Sequence, residues 1–306
     1  MGRFSKAVVV LLILAGFAYY WLLVNAGPSG IPARPFDIAA LRAAADAKAG
    51  AKPTAIRFVT LATRRIPSAT LAAGTGLRQI TSGVIAWHID TPNGGIVVDP
   101  GLSPPDAKAM SFSHYNNAAM ALVDRWMDRA ELILFTHSHI DHVGLFLDHP
   151  RFDSIVDKAI VTPKMLGGIS ALWRENGSHI SKTRKLAPVE AVAPGVVIIQ
   201  TPGHTPGSQM IYVQLANGRE YILTGDTASL APNFERATPR SRLVADILAP
   251  EDRPAVIGWL KGLKALKERN KSLVLLPSHD ADWLATNAAA LHISRAPVRP
   301  LPSPTK

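Results

Sequence analysis

Residues 132–142 read Leu-Ile-Leu-Phe-Thr-His-Ser-His-Ile-Asp-His, and this stretch decides the fold. Leu132-Ile133-Leu134-Phe135 is an apolar run of the kind that forms a buried strand. His137, His139, Asp141 and His142 follow it directly. A strand that ends in so ligand-rich a loop gathers those side chains into one small volume. Neutral imidazole nitrogens and carboxylate oxygens suit Zn²⁺, and also Fe, Mn or Co. Packed together without a cation, they would lose hydration and leave Asp141 unpaired. Ser138 sits between two ligands and should point away from them if strand-like alternation persists through the loop.

Three further positions repeat the arrangement. His204 lies in Thr201-Pro-Gly-His-Thr-Pro-Gly207, Asp226 in Thr224-Gly-Asp-Thr227, and His279 in Pro277-Ser-His-Asp280. Each follows an apolar run: Val196–Ile199, Tyr221–Leu223 and Leu273–Leu276. Strand ends that converge on one edge bring ligands together from distant positions.

The HxHxDH run, the later His, the Asp after Gly and the last His resemble the metallo-β-lactamase-fold hydrolases, over roughly residues 56–295. The resemblance implies an α/β chain in a four-layer αββα arrangement. It implies two divalent metal ions, zinc being the expected element. His137, His139 and His204 would hold one ion, Asp141, His142 and His279 the other, and Asp226 would bridge them. Asp226 and Asp141 would be the catalytic carboxylates, the first fixing the metal spacing, the second orienting or receiving a proton. Asp99, in Val97-Val-Asp-Pro-Gly101, matches an early Asp of the family that supports the ligands by hydrogen bonding.

The resemblance also narrows the bond cleaved. A bridging Asp is typical of glyoxalase-II-like thioesterases and N-acyl-homoserine-lactone hydrolases, whereas the β-lactamases generally carry Cys or Ser there. The Thr-Pro-Gly-His-Thr-Pro-Gly-Ser run and the long gap from Asp226 to His279 look most like the lactonase branch. A small-molecule ester or lactone is therefore the expected substrate. Hydrolysis of a β-lactam, thioester or phosphodiester, or a non-hydrolytic metal-binding role, are the alternatives. One position departs from the branch, which often places a Tyr three residues after the bridging Asp to touch the substrate carbonyl. Here that residue is Ser229, too short for the same reach.

Composition agrees with a single large catalytic domain at 56–295. Helical patterns at Ala118–Arg129 and Arg253–Lys267 alternate with the strand-like runs. In the second, Val256, Trp259, Leu260, Leu263 and Leu266 form an apolar stripe, with Lys261, Lys264 and Lys267 expected on a solvated face. Ile89–Val98 reads as two strands joined through Asn93-Gly94. The chain has no cysteine, so every metal ligand must be N or O. The net charge of +10 is scattered, with no dense basic run interleaved with aromatics, so no nucleic-acid partner is expected. His88, His114, His149, His179 and His292 lack ligand neighbours at useful spacing. His114 and His179 fall in the stretches 111–117 and 176–183, which read as loops able to cover a site. Trp126 and Trp173 are candidates for a pocket wall or the core.

The N-terminus is a separate object. Ala7–Val24 is an uncharged 18-residue stretch preceded by Arg3 and Lys6. That length just crosses a bilayer core, and Phe17, Tyr19, Tyr20 and Trp21 fit an interfacial belt. Val24-Asn-Ala26 also makes a passable cleavage site, so residues 1–26 are either a membrane anchor or a cleaved signal. The basic residues before the span place the following domain outside the cytoplasm, in the periplasm of a bacterium. Residues 27–55 read as a linker ending in an Ala-rich helix, and 296–306 as a Pro-rich tail. The oligomeric state is not encoded in any motif.

Overall fold

The computed structural model describes residues 2–298. Most of the tail expected from residue 296 lies outside them. Eleven strands are present among the described residues, in chain order β1 Ala55–Pro67, β2 Gln79–Asp90, β3 Ile96–Val98, β4 His114–Tyr115, β5 Leu132–Leu134, β6 Val189–Ala193, β7 Val196–Gln200, β8 Gln209–Gln214, β9 Glu220–Leu223, β10 Val274–Leu276 and β11 Ser294–Arg295. They form two sheets. The first runs β11-β1-β2-β3-β5, with β4 also paired to β1; the second runs β10-β9-β8-β7-β6.

Burial on both faces explains why β3, β5, β7 and β10 are almost continuously apolar rather than alternating. Between the sheets lie Phe58, Trp87, Ile96, Leu134, Ile198, Ile211 and Leu223. The outer face of the first sheet packs Val59, Val97, Ile133 and Phe135 against Val123 and Met127 of the helix Asn117–Arg129 and Phe146 of the helix Ile140–Leu147. The outer face of the second packs Tyr212, Ile222 and Leu275 against Leu41, Leu260 and Leu263 from the helices Ile38–Asp46 and Arg253–Arg269. The result is helix, sheet, sheet, helix in four layers.

Strand direction places the site. β3 and β5 are parallel, as are β9 and β10. β7 is antiparallel to β8, and β8 to β9, so β7 shares the direction of β9. Asp99, the His137–His142 run, His204, Asp226 and His279 each follow the C-terminal end of one of these strands. The sheets are tied together at this edge: Gln209 donates its backbone N–H to Thr136 O at 2.8 Å and its side-chain amide to Phe135 O at 2.8 Å, and Gly83 N donates to His279 O at 3.0 Å.

One expectation needs correction and another is filled in. The three lysines of Arg253–Arg269 are not a freely solvated face. All are half-buried; Lys261 Nζ caps Ile31 O at 2.6 Å, and Lys267 Nζ reaches Lys271 O and Leu273 O. The Lys261 and Lys267 ammonium groups satisfy carbonyls, while Lys264 pairs with the Glu268 carboxylate on the exposed side. Residues 27–55, expected as a linker ending in an Ala-rich helix, do hold a helix, and it packs on the domain. Asp37 caps the helix Ile38–Asp46, which buries Leu41 and Ala45, Phe36 packs on Trp259, and Arg42 makes a two-pronged ion pair with Glu220.

The helix Arg3–Tyr19 continues through a wider π-type turn, Tyr20–Val24. This 22-residue unit is long and apolar enough to cross a membrane, and none of its most apolar stretch is buried. Among the described residues its recorded contacts with the domain come from its root. Gly74 N donates to Leu23 O at 2.9 Å, and the Arg242 guanidinium lies 4.4 Å over the Trp21 ring and bonds Asn25 Oδ1 at 3.3 Å.

Candidate metal centre

The ligand-rich run straddles a change of structure. His137 and Ser138 lie in the irregular stretch after β5, His139 takes the N-cap position of the helix Ile140–Leu147 in extended backbone, and Asp141 and His142 lie in its first turn. Ser138 Oγ is turned towards Gly168, away from the ligands, as alternation requires. Gly225, at φ 52°, makes the sharp turn that presents Asp226, and a Cβ there would collide with the Thr136 side chain.

All seven expected ligands converge, in two sets. In the first, His139 Nδ1 lies 3.0 Å from both His137 Nε2 and His204 Nε2, and Asp226 Oδ2 lies 3.7 Å and 3.5 Å from the latter two. In the second, Asp141 Oδ2 is 3.9 Å from His142 Nε2 and 3.6 Å from His279 Nε2. Asp226 Oδ1 is 3.4 Å and 2.8 Å from those two nitrogens. The carboxylate of Asp226 thus offers one oxygen to each set. Five of the seven are buried, while His139 and Asp141 are partly exposed.

The donor chemistry fits cations. His142 Nε2 is buried without a hydrogen-bond partner. His139 Nδ1 can share a proton with only one of its two nitrogen neighbours, so lone pairs face each other, an arrangement that a cation relieves. Burial holds His139 down at about 4 and His204 at about 3, and with the neighbouring His142 holds His137 well below its usual value. All three rings are therefore neutral at pH 7, the form that ligates. For His142 burial acts in the same direction, but Asp99, Asp226 and Asp141 outweigh it and raise the ring well above normal. Burial also disfavours the Asp226 anion; Arg240, His279 and His142 overcome this and keep it ionised.

The far side of each buried imidazole is held. His142 Nδ1 meets Asp99 Oδ2 at 2.9 Å, and Asp99 also accepts from Thr136 N and Oγ1, both at 2.7 Å. Thr136 Oγ1 is 3.1 Å from His137 Nδ1, His279 Nδ1 bonds Gly83 O at 2.8 Å, and His204 Nδ1 bonds Glu251 Oε2 at 2.8 Å. Such partners fix ring orientation and tautomer. Ser278 Oγ donates to Asp226 Oδ1 at 2.6 Å.

Sequence reasoning misses Arg240 and Glu251, which come from a stretch with no motif. The structure also changes the reading of Ser229. It is fully buried and is not a shortened substrate contact; its Oγ accepts from Arg240 Nε at 3.0 Å and Nη2 at 2.7 Å, and Nη2 also bonds Asp226 Oδ2. The space a Tyr would need is filled by a guanidinium, whose Nη1 makes no hydrogen bond among the described residues.

A cavity of about 600 Å³ opens over Asp141, His139, His279, Asp226 and Arg240. Its walls include Ile66, Leu71, Met110, Phe112, Leu172 and Val244, together with Arg64. Of the two stretches read as covering loops, the first supplies Phe112, while exposed His114 sits in β4 instead. The second contributes no wall: Asn176 ties it to Leu147 O, and His179 is exposed. Trp126 rests on His88, and Trp173 is 92% exposed, so neither lines the cavity.

A four-layer sandwich with His and Asp ligands at one strand edge defines a class, and the sequence agrees. The chain belongs to the metallo-beta-lactamase superfamily, which it matches over residues 75–300. It is 31% identical over 91 residues to an N-acyl homoserine lactonase of Bacillus sp., covering 30% of this chain and 33% of that protein. It is 27% identical over 179 residues to the hydroxyacylglutathione hydrolase of Cupriavidus taiwanensis, covering 56% and 58%. The chain thus spans about a third of the length of the curated lactonase it matches. The fold is shared with an N-acyl homoserine lactone hydrolase whose structure holds the product N-hexanoyl-L-homoserine at the catalytic metal centre. The TM-score is 0.59, at 20% identity over 77% of this chain and 96% of that one.

Proposed function

We propose that the protein is a membrane-anchored metallo-hydrolase of esters or lactones, with acylated lactones as the substrate class. The observation that carries this reading is Asp226, which offers one carboxylate oxygen to each of two ligand sets. His137, His139, His204 and Asp226 would hold one divalent ion, and Asp141, His142, His279 and Asp226 a second, zinc being favoured by an imidazole and carboxylate donor set. Bound there, the ions supply Lewis acidity towards a carbonyl and lower the pKa of a water.

The chain's own groups do the rest. Asp141 borders the cavity and is positioned to take the proton of the attacking water and return it to the leaving alkoxide. Arg240, held in place through Nε and Nη2, directs its uncommitted Nη1 as a donor to the carbonyl oxygen as charge develops. The apolar wall accepts an acyl chain and excludes water from the reacting centre. The lactonase relatives and the product-bound fold neighbour favour a lactone over a β-lactam or phosphodiester. The helix Arg3–Val24 holds the chain in a membrane with the catalytic domain on the outer side, a reading supported by its length, its exposure and the basic residues before it.

The test combines metal analysis with a substrate panel on the full chain in detergent. Two metal ions per chain are expected, and Asp226→Ala should lose one preferentially together with most of the turnover. A stable value of one with full activity removes the bridging role. The panel is a long-chain acyl lactone, an aryl ester, a β-lactam and a phosphodiester. Turnover of either of the last two at least about tenfold better than both carbonyl esters, a gap of roughly 1.4 kcal/mol, rejects the ester or lactone reading.

A further inference from the structure

The elements that hold the root of the apolar N-terminal helix also form the rim of the catalytic cavity. The helix Ser68–Leu71 packs against the Tyr20–Val24 turn, and its Thr70 and Leu71 line the cavity. Arg242, stacked on Trp21, leads directly into the π-helical turn Leu243–Leu248, whose Val244 and Leu248 line the cavity as well.

This rim and the segment beside the helix root carry apolar side chains that nothing covers. Leu248 is 69% exposed although it lines the cavity, its neighbour Ile247 is 60% exposed, and Leu77 is 57% exposed. Leu77 lies three residues beyond Gly74, the residue that bonds Leu23 at the helix root. Two exposed arginines flank it: Arg78, and Arg65, whose guanidinium bonds Gln79 O at 3.2 Å. Exposed leucines and isoleucine bordered by arginines, beside the end of a membrane-length helix, match the layered chemistry of an anionic bilayer surface, apolar inside and phosphate outside.

We infer that the mouth of the catalytic cavity rests on the bilayer, with Leu77, Ile247 and Leu248 dipping into an anionic lipid surface, so that an acylated substrate enters from the membrane rather than from water. The inference rests on the reading of Arg3–Val24 as an anchor. An acyl chain long enough to fill an apolar cavity partitions into lipid, at about 0.8 kcal/mol per buried CH₂. A mouth on the membrane therefore draws on a concentrated pool and spares the chain a passage through water.

The absence of cysteine makes the test direct. Ile247→Cys and Leu77→Cys, each carrying an environment-sensitive fluorophore, are compared with Asn217→Cys in full chain reconstituted into phosphatidylcholine–phosphatidylglycerol vesicles containing a lipid-borne quencher. Asn217 lies in the exposed β8–β9 hairpin, at the end of the second sheet opposite the ligands. Quenching at 247 and 77 at least threefold above that at 217 is expected. Equal quenching at all three positions, in chain that sediments with the vesicles, overturns the inference and leaves the anchor standing. Chain that fails to sediment overturns both. A second arm uses the Ile247→Glu, Leu77→Glu double variant, which replaces only exposed side chains outside the cavity lining. Its kcat/KM should fall at least tenfold on a decanoyl lactone dissolved in the vesicles, and less than twofold on a short water-soluble aryl ester. Equal losses on the two substrates, or none on either, would count against the inference.

Discussion

Ser229 is where residue-level reading and structure part. From the sequence it is a tyrosine position left short; in the fold it is the seat of Arg240. Replacing it with Tyr therefore forces a ring into a fully buried place next to a guanidinium that already bonds Asp226. Overpacking of this kind costs about 1–3 kcal/mol. We expect Ser229→Tyr to lower the melting temperature and the turnover, rather than restore a lactonase-like contact. Ser229→Ala removes the acceptor for Nε and Nη2 without adding bulk, and should reduce kcat by about 10-fold or more with KM little changed, as befits a donor that acts on developing charge. A rise in kcat for either variant on an acyl lactone would show that Arg240 blocks the site instead of serving it. The seven candidate ligands, which the fold brings together, were legible because five of them sit in short local patterns, HxHxDH and Pro-Gly-His, and the other two follow apolar runs. Arg240 and Glu251 were not, because only the folded chain brings their segment against Asp226 and His204.

At the scale of elements, the strand-to-ligand pattern was readable because each ligand follows a buried run whose direction the sheet then fixes. The helix Ile38–Asp46 shows what was not. Its Ala-rich sequence reads as a helix, but nothing in it names the partner it packs on, and Arg42 reaches Glu220, 178 residues away, with both Nε and Nη2 at 2.7 Å, while Tyr212 also bonds that carboxylate. Arg42→Ala would leave Glu220, 6% exposed, without its cation. Losing a hydrogen bond to a charged group costs about 1.5–3 kcal/mol. The pH dependence has a definite sign. The Arg42 hydrogen bond holds Glu220 below the usual 4.5, so the folded state binds its proton less readily than the unfolded chain. Stability from this contact is complete above about pH 4.5 and is lost as pH falls through the lower folded value. Wild type should therefore lose its advantage over Arg42→Ala in urea titrations as the pH drops from 5 towards 3. An advantage that persists unchanged at pH 3 would assign the contact's value to packing alone.

Across the whole molecule, three apolar layers carry the fold and the metal centre sits at its edge, which separates folding from metal binding. Chelation should leave the chain folded but less stable. A ligand present at 100 times its Kd contributes about 2.7 kcal/mol, so circular dichroism of chelated protein should keep its native form while the melting temperature drops and returns on adding Zn²⁺. Loss of all structure would mean that Asp226 and its partners are needed to join the sheets. Orientation in the cell is likewise a property of the whole chain. The span carries no charge between Lys6 and the domain, and two basic residues precede it. Positive charge resists translocation across a membrane, and the longer segment that follows is carried over instead. A phosphatase reporter fused after Lys306 should therefore be active only where the domain lies outside the cytoplasm. Replacing Arg3 and Lys6 with Glu should reduce that activity by weakening the charge bias. The root contacts, Leu23 to Gly74 and Trp21 to Arg242, join the span to the folded domain, so the mature protein should keep residues 3–24 and stay with membranes in high salt. A mature chain beginning at Gly27 would show that the segment is a cleaved signal, and the domain would then work free of the bilayer.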